Sequence, residues 1–430
     1  MNQFNVSLWG DEAWAATLAV KPILKIITLV AKDTSPPLYY LCLHFWMRIF
    51  GSSEIAIRSL SFLFFLGTIL TVYFIGKHLW QKKNGLWAAL LTFTNPFLFT
   101  YAFEGRMYAL LALTATLSVY FFLKKHWWGF TLATAAALYS HHFAIFVVIF
   151  EFLWRLGEIK FWQKPIKATI KNLTDFLTIA LLYLPWIYPL CYQTSLVKSG
   201  FWLGRPDLET FGQTTVKFVV GSGEELLRQL AKWLVVLLLI LRKWSASKRE
   251  TLFLIGWFFA PLLFTFIISQ FFQPIFFDRY LLIAIPAAAL ILSSGQKKFS
   301  PVILALIIIL LAQLNWFYFT HPTKRPFREL AQFIKTEAAE LTLINYNAAA
   351  HHLWEAKYYG LKAPIYTPQL LPFYTGTALM EKQDTIATLP QLEKIGVITS
   401  ASPQEVNLPG YHLNNYKQIE NLSLLWMEKN

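Results

Sequence analysis

The chain has 430 residues, of which 56% are hydrophobic and only 14% charged, with 38 Lys and Arg against 24 Asp and Glu. A soluble domain carries roughly 25% charged residues, so an ordinary soluble protein is excluded for residues 36–320, where the deficit lies; residues 321–430 have soluble composition. Much of the +14 net charge sits in short loops between apolar segments, the positive-inside pattern, which excludes nucleic acid as its reason.

In chain order, Asp11 and Glu12 come first, in Ser7-Leu8-Trp9-Gly10-Asp11-Glu12-Ala13. Adjacent residues on a helix point about 100° apart, so one of the two faces a reacting group. Residue chemistry leaves two readings level: a general base, or a helix first turn where acids favour the positive dipole end. Apolar segments able to cross a bilayer of about 20 residues' span follow at 55–77, 85–103, 107–123, 127–141, 142–156, 174–191, 227–241, 251–272, 278–294 and 300–318. Cys42 and Cys191 lie among apolar residues and read as small core residues, with no disulfide framework.

The basic connections are Lys77/Lys82/Lys83, Lys124/Lys125, Arg155 through Lys171, Arg242 through Arg249, and Lys297/Lys298. If all face the cytoplasm, residues 126–154 cross twice and the chain makes ten spans. Residues 1–54, Glu104–Arg106, His141–His142, 192–226, Asp278–Arg279 and the C-terminal domain then face outward. Residues 1–10 hold no signal or span, from which a missing first transmembrane helix is expected. After Pro322 the pattern changes. Helices over 327–340 and 348–359 alternate with strands over 341–346, 395–400 and 422–427, a small α/β layer. The expected architecture is therefore mainly α: a polytopic bundle over residues 1–320 and an extracytoplasmic α/β domain over 321–430.

Several segments in this order resemble the GT-C superfamily of polytopic glycosyltransferases, in the branch of protein O-mannosyltransferases and aminoarabinose–lipid A transferases. They are Leu8-Trp9-Gly10-Asp11-Glu12, Asp33-Thr34-Ser35-Pro36-Pro37-Leu38-Tyr39-Tyr40, Gly51-Ser52-Ser53-Glu54 running to Arg58-Ser59, Tyr101 through Tyr108, Tyr139-Ser140-His141-His142, and Asp278-Arg279-Tyr280-Leu281. The resemblance covers residues 8–290. It implies a single sugar moved from a polyprenyl-phosphate or pyrophosphate donor to a lipid, glycan or protein acceptor, with inversion, outside the cytoplasmic (inner) membrane. It also implies that residues 36–50 lie in the outer interface, in keeping with the anchors Tyr39, Tyr40 and Trp46.

By this resemblance Asp11 is the general base and Glu12 assists or orients it. Glu104 and Arg106 are either a mutually neutralising pair, or a second acid near acceptor or metal with a phosphate partner. His141 and His142 are interfacial residues, phosphate donors, or, with Glu104, ligands of a divalent metal ion. Arg58 and Arg279 at outer helix ends fit snorkelling or bidentate phosphate binding; the resemblance favours phosphate, with Tyr280 beside Arg279. Lys198 and Arg205 are further basic candidates, and Gly221-Ser222-Gly223 reads as a hinge. The competing classes are a lipid or glycan transporter, which would show internal repeats and midplane charges, and an inactive transferase relative. Nothing in the C-terminal domain resembles a catalytic motif, and it reads as a cap or acceptor guide.

Overall fold

All ten apolar stretches are helical in the computed structural model, which describes residues 1–430 apart from 164, 199, 201, 243–247, 296, 347 and 348. Residues 243–247 of the basic connection, Lys164, and the first residue of the helix expected at 348–359 thus lie outside the described residues. Three stretches are broken by proline. Asn95, driven out of the helical region by the following Pro96, ends helix Lys82–Thr94 and caps Pro96–Ala102, its side chain accepting from the Leu98 N–H at 2.9 Å. Pro185 lies in the 3₁₀ turn Leu184–Trp186, and Pro286 opens helix Ile285–Ser293 directly after the 3₁₀ turn Leu282–Ala284. Four helices are long and apolar enough to cross a membrane: Glu54–Leu79, Thr174–Lys198, Lys248–Phe271 and Ser300–Thr320, while Tyr108–Leu123 is apolar but shorter. The ten expected spans are therefore ten helical segments, of which, among the described residues, these four have full length and hydropathy.

The chain divides into two compact units. One comprises Met1–Thr34, Tyr40–Arg58 and His321–Asn430; the other comprises Ser35–Tyr39 and Ser59–Thr320. The second unit is the helical array. Within it, the segment expected as an outer loop at 192–226 contains a helix, Leu208–Val220, started by Asp207, whose side chain accepts from Thr210 N–H at 2.7 Å. The helix ends at Gly221, whose φ of +77° suits glycine, and a Cβ there would lie 2.5 Å from Pro96 Cβ. That close packing, together with the positive φ, requires glycine at this turn. Cys42 is half-buried and Cys191 exposed, which corrects the core reading for Cys191.

The first unit holds helices Gly10–Ala19 and Ile23–Ala31, most of Leu38–Phe50, and the α/β layer. The strands are β1 (Thr342–Asn345), β2 (Ile365–Tyr366), β3 (Thr385–Ile386), β4 (Lys394–Thr399), β5 (Tyr411–Ile419) and β6 (Leu422–Lys429). Their order is β3-β2-β1-β4-β6-β5. The first four run parallel; β6 is antiparallel to β4 and β5 to β6. Helix Phe327–Glu337 turns Phe327, Leu330 and Ile334, at helical spacing, into one core with Ala356, Ile398, Leu422 and Leu424. Ile344, Val397, Leu425 and Met427 form the opposite core. Strands β2, β3 and β5 were not expected: the first two are only two residues long, and the exposed, polar Tyr-His-Leu-Asn-Asn-Tyr-Lys run of β5 lacks alternating hydrophobicity.

Candidate functional site

In the first unit, Asp11 and Glu12 occupy the first turn of Gly10–Ala19, where their charges favour the helix N-terminus. The Glu12 carboxylate reaches back to accept from the Trp9 N–H at 3.3 Å, the return arm of a capping box. The two acids then part company. Glu12 is fully buried and bound bidentately by Arg58, through Nε to Oε1 at 2.9 Å and Nη2 to Oε2 at 2.6 Å, while Lys324 Nζ donates to Oε2 at 3.0 Å. Asp11, one position earlier, is half-buried. Only Asp11 has solvent-facing surface, so the 100° offset resolves into one structural and one accessible carboxylate.

Arg58 is 0% exposed. Its remaining N–H groups donate to the carbonyls of Phe4 (3.1 Å), Val6 (2.5 Å) and Ser7 (2.9 Å). All five guanidinium donors are thereby spent on protein, and the expectation that Arg58 binds phosphate is corrected: within the first unit it ties residues 4–12 to the helix turn that starts at Glu54. The same segment is fixed at a second point. Tyr359 Oη accepts from Leu8 N–H at 2.8 Å and donates to Glu54 at 3.0 Å; Arg328 reaches Glu54 at 3.3 Å; Ser7 Oγ donates to Glu329 at 3.0 Å. Burial raises the Glu329 carboxyl, but hydrogen bonds from its own backbone N–H, Arg328 and Ser7 together outweigh it and hold the group below its ordinary range.

Helix Ala349–Tyr358 packs on this turn. A Cβ on Gly10 would stand 2.3 Å from His351 Nδ1 and 2.6 Å from its Cα, so only glycine permits the approach. The Trp9 ring stacks on His351 at 5.7 Å between centroids.

In the second unit, Tyr280, His141 and Tyr108 assemble into one aromatic cluster. Tyr280 lies 4.7 Å from the His141 ring and 6.2 Å from Tyr108, between ring centroids. The Arg279 guanidinium sits 4.5 Å above Phe277 and 5.8 Å from the Tyr108 ring centroid, at cation–π range. The charges of Arg106 and Arg279 both act on His141 and Tyr108, and that of Glu104 acts on Tyr108. Glu104, Arg106, His141, Arg279 and Tyr280 are thus brought together. His142 departs from the group: its Nε2 bonds Gln193 Oε1 at 2.7 Å and its Nδ1 meets Tyr183 Oη at 3.1 Å. With both nitrogens engaged, His142 is a structural tie, which corrects its phosphate-binding and metal roles. His141 Nδ1 accepts from the Phe143 N–H at 3.1 Å. Among the described residues, no group of three or more His, Cys, Asp or Glu is placed to hold a metal ion, so the set Glu104, His141 and His142 does not fit one.

Sequence reasoning missed Lys324, Lys217, His351, His352 and Glu355. Lys217 pairs with Asp278 at 2.5 Å and lies 4.7 Å over the Phe97 ring. Its signal was weak, a single lysine at the end of an unexpected helix. The other four lie in a domain without motif resemblance.

This arrangement is a GT-C fold, a helical membrane array with a small α/β domain. Residues 34–189 match the family described as dolichyl-phosphate-mannose-protein mannosyltransferase. No curated protein matches the chain. ArnT from Cupriavidus metallidurans is similar in structure: in the apo state, TM-score 0.63 and 11% identity, covering 98% of this chain and 94% of that one. The same protein bound to undecaprenyl phosphate gives TM-score 0.64 and 12% identity, with 99% and 95% covered. The Archaeoglobus fulgidus oligosaccharyltransferase gives TM-score 0.51 and 12% identity, and the likeness covers 83% of this chain but 58% of that one.

Proposed function

We propose that the protein is a membrane glycosyltransferase that uses a polyprenyl-phosphate-linked sugar and passes that sugar to a lipid, glycan or protein acceptor on the outer face of the cytoplasmic membrane. The observation that carries this reading is the divided carboxylate pair in a chain of GT-C fold: Glu12 is buried and ion-paired, while Asp11 stands half-buried on the same turn. The match to the mannosyltransferase family and the likeness to ArnT, whose structure holds undecaprenyl phosphate, support the donor class.

In this reaction Asp11 accepts the proton of an acceptor hydroxyl or amine. The freed lone pair attacks C1 of the sugar, the C1–O bond to phosphate breaks, and polyprenyl phosphate leaves with the bonding electrons. One direct displacement inverts C1. Within the second unit, Arg279 lies beside the Tyr108 ring, which neighbours that of Tyr280, and is the cation assigned to the phosphate; Arg106 adds positive charge to the same cluster. Glu12 and Arg58 hold the Asp11 turn.

The test is transfer of radiolabelled sugar from polyprenyl-phosphate monosaccharides in membranes, comparing wild type with Asp11→Asn. Loss of a general base costs roughly 10²–10⁴-fold in rate. Transfer at the wild-type rate by Asp11→Asn removes Asp11 as base. Absence of transfer by folded wild type with every donor removes the glycosyltransferase reading.

A further inference from the structure

Helix Ala349–Tyr358 carries two polar side chains to which the reaction above gives no task. His352 and Glu355 lie three positions apart, so they share a helix face, and both are 0% exposed. Among the described residues, neither His352 ring nitrogen and neither Glu355 oxygen has a hydrogen-bond partner. Buried polar atoms without partners are few in folded proteins and call for an explanation; here four fall on one helical turn.

Their location gives the explanation. This helix seats on the Gly10 turn through the close approach of His351, and the Gly10 N–H nears the Glu355 carboxyl without completing a hydrogen bond. The charged groups facing Glu355 are Arg325, from the connection ahead of helix Phe327–Glu337, and Glu12 and Asp11 on helix Gly10–Ala19. Helix Phe327–Glu337 brings the Phe327 ring, 5.9 Å from that of His352. The sheet side contributes apolar Ile398 and Ala363 around Ala356. On its own helix the other titratable groups are His351, His352, Lys357 and Tyr358; Lys357 pairs with Asp384 at 2.6 Å and Tyr358 Oη donates to the Ser52 carbonyl.

We propose that Glu355 is a positioning residue for Asp11: as a neutral carboxylic acid it lets helix Ala349–Tyr358 seat on the Gly10–Asp11 turn, and its ionisation undoes that seat. A carboxylate here would be buried near Asp11 and near Glu12, whose own pairing is taken by Arg58 and Lys324, with Arg325 opposing, and the helix would have to move away to hydrate it. Burial pushes the Glu355 carboxyl up to about 8; Arg325 opposes this and Glu12 and Asp11 add to it. Burial likewise takes His352 down to about 3, with Arg325 and His351 adding to it, so the histidine brings no neutralising charge. The proposal rests on Asp11 being the base.

Two readouts separate it from that reading. The first needs no substrate: the carbonyl stretch of a protonated carboxyl is followed by infrared difference spectroscopy against pH, in wild type and Glu355→Gln protein. The wild type should lose a protonated-carboxyl band with a midpoint near 8 that the variant lacks. A wild-type spectrum identical to that of the variant from pH 6 upward would overturn the proposal. The second is the pH profile of kcat/KM, each protein normalised to its own maximum. The wild type should fall about tenfold per pH unit above the midpoint, and the fall should move upward by at least one unit in Glu355→Gln. An unmoved alkaline limb would mean a structural role only and would sink the proposal. Should Glu355→Gln not fold, Glu355→Leu serves both readouts, since leucine suits the apolar surroundings. If wild type transfers no sugar, the function reading falls while the infrared titration still decides the state of Glu355.

Discussion

Replacing Arg58 by Met tests whether residues 4–12 owe their position to one buried guanidinium. The substitution keeps an unbranched apolar stem and deletes five hydrogen bonds, two to Glu12 and three to the carbonyls of Phe4, Val6 and Ser7. Breaking a buried ion pair by removing one partner costs roughly 3–5 kcal/mol, because the remaining charge is left without compensation. The orphaned carbonyls add to this at about 1–3 kcal/mol each. Lys324, 3.0 Å from Glu12 Oε2, offsets part of the loss. A net local cost of about 3–5 kcal/mol is expected, which raises the opening equilibrium of the Gly10–Ala19 helix by roughly two to three and a half powers of ten. Backbone hydrogen exchange over residues 10–16, read by mass spectrometry on the purified protein in detergent, measures this directly. Glu12→Gln should also accelerate exchange, and the double variant should be less destabilised than the sum of the two. Exchange in Arg58→Met within about threefold of wild type, or strictly additive effects in the double variant, would refute the reasoning.

Gly10→Ala drives a methyl against the His351 backbone; overpacking of this kind costs roughly 1–3 kcal/mol, read as a lower melting temperature, and an unchanged melt would remove the close approach. Stability of the first unit should depend on pH through two opposed groups. Glu355, raised from 4.5 to about 8, lowers stability as pH rises between those values, because only the unfolded chain releases its proton there. His352, lowered from 6.5 to about 3, lowers stability as pH falls through that interval, because only the unfolded chain takes up a proton. The two nearly cancel between 4.5 and 6.5, so a fall approaching about 1.4 kcal/mol per pH unit is expected from 6.5 towards 8; denaturant melts of Glu355→Gln should lack it. Arg279→Lys gives up the planar contact over Phe277 and the bidentate geometry that suits a phosphate. It should raise KM for the lipid-phosphate donor about tenfold, and an unchanged KM would take Arg279 out of phosphate binding.

Much of the fold was legible in the sequence because hydrophobic runs and proline breaks are local signals. The apolar segments became helices, residues 36–50 formed helix Leu38–Phe50, and the three strands and two helices expected in the α/β layer lie within a few residues of expectation. What the motif around Asp11 and Glu12 could not reveal is which carboxylate is spent on structure. That was decided by Arg58 and by Lys324, the latter 312 positions away, because burial and ion pairing are set by chain segments distant in sequence. The same holds for His142, readable as a ligand until Gln193 and Tyr183 take both its nitrogens, and for Glu355, an unremarkable acid in an amphipathic helix until packing removes its water. Residue type is written in the chain, whereas the protonation state and partners of each polar group follow from how completely the tertiary structure strips it of solvent.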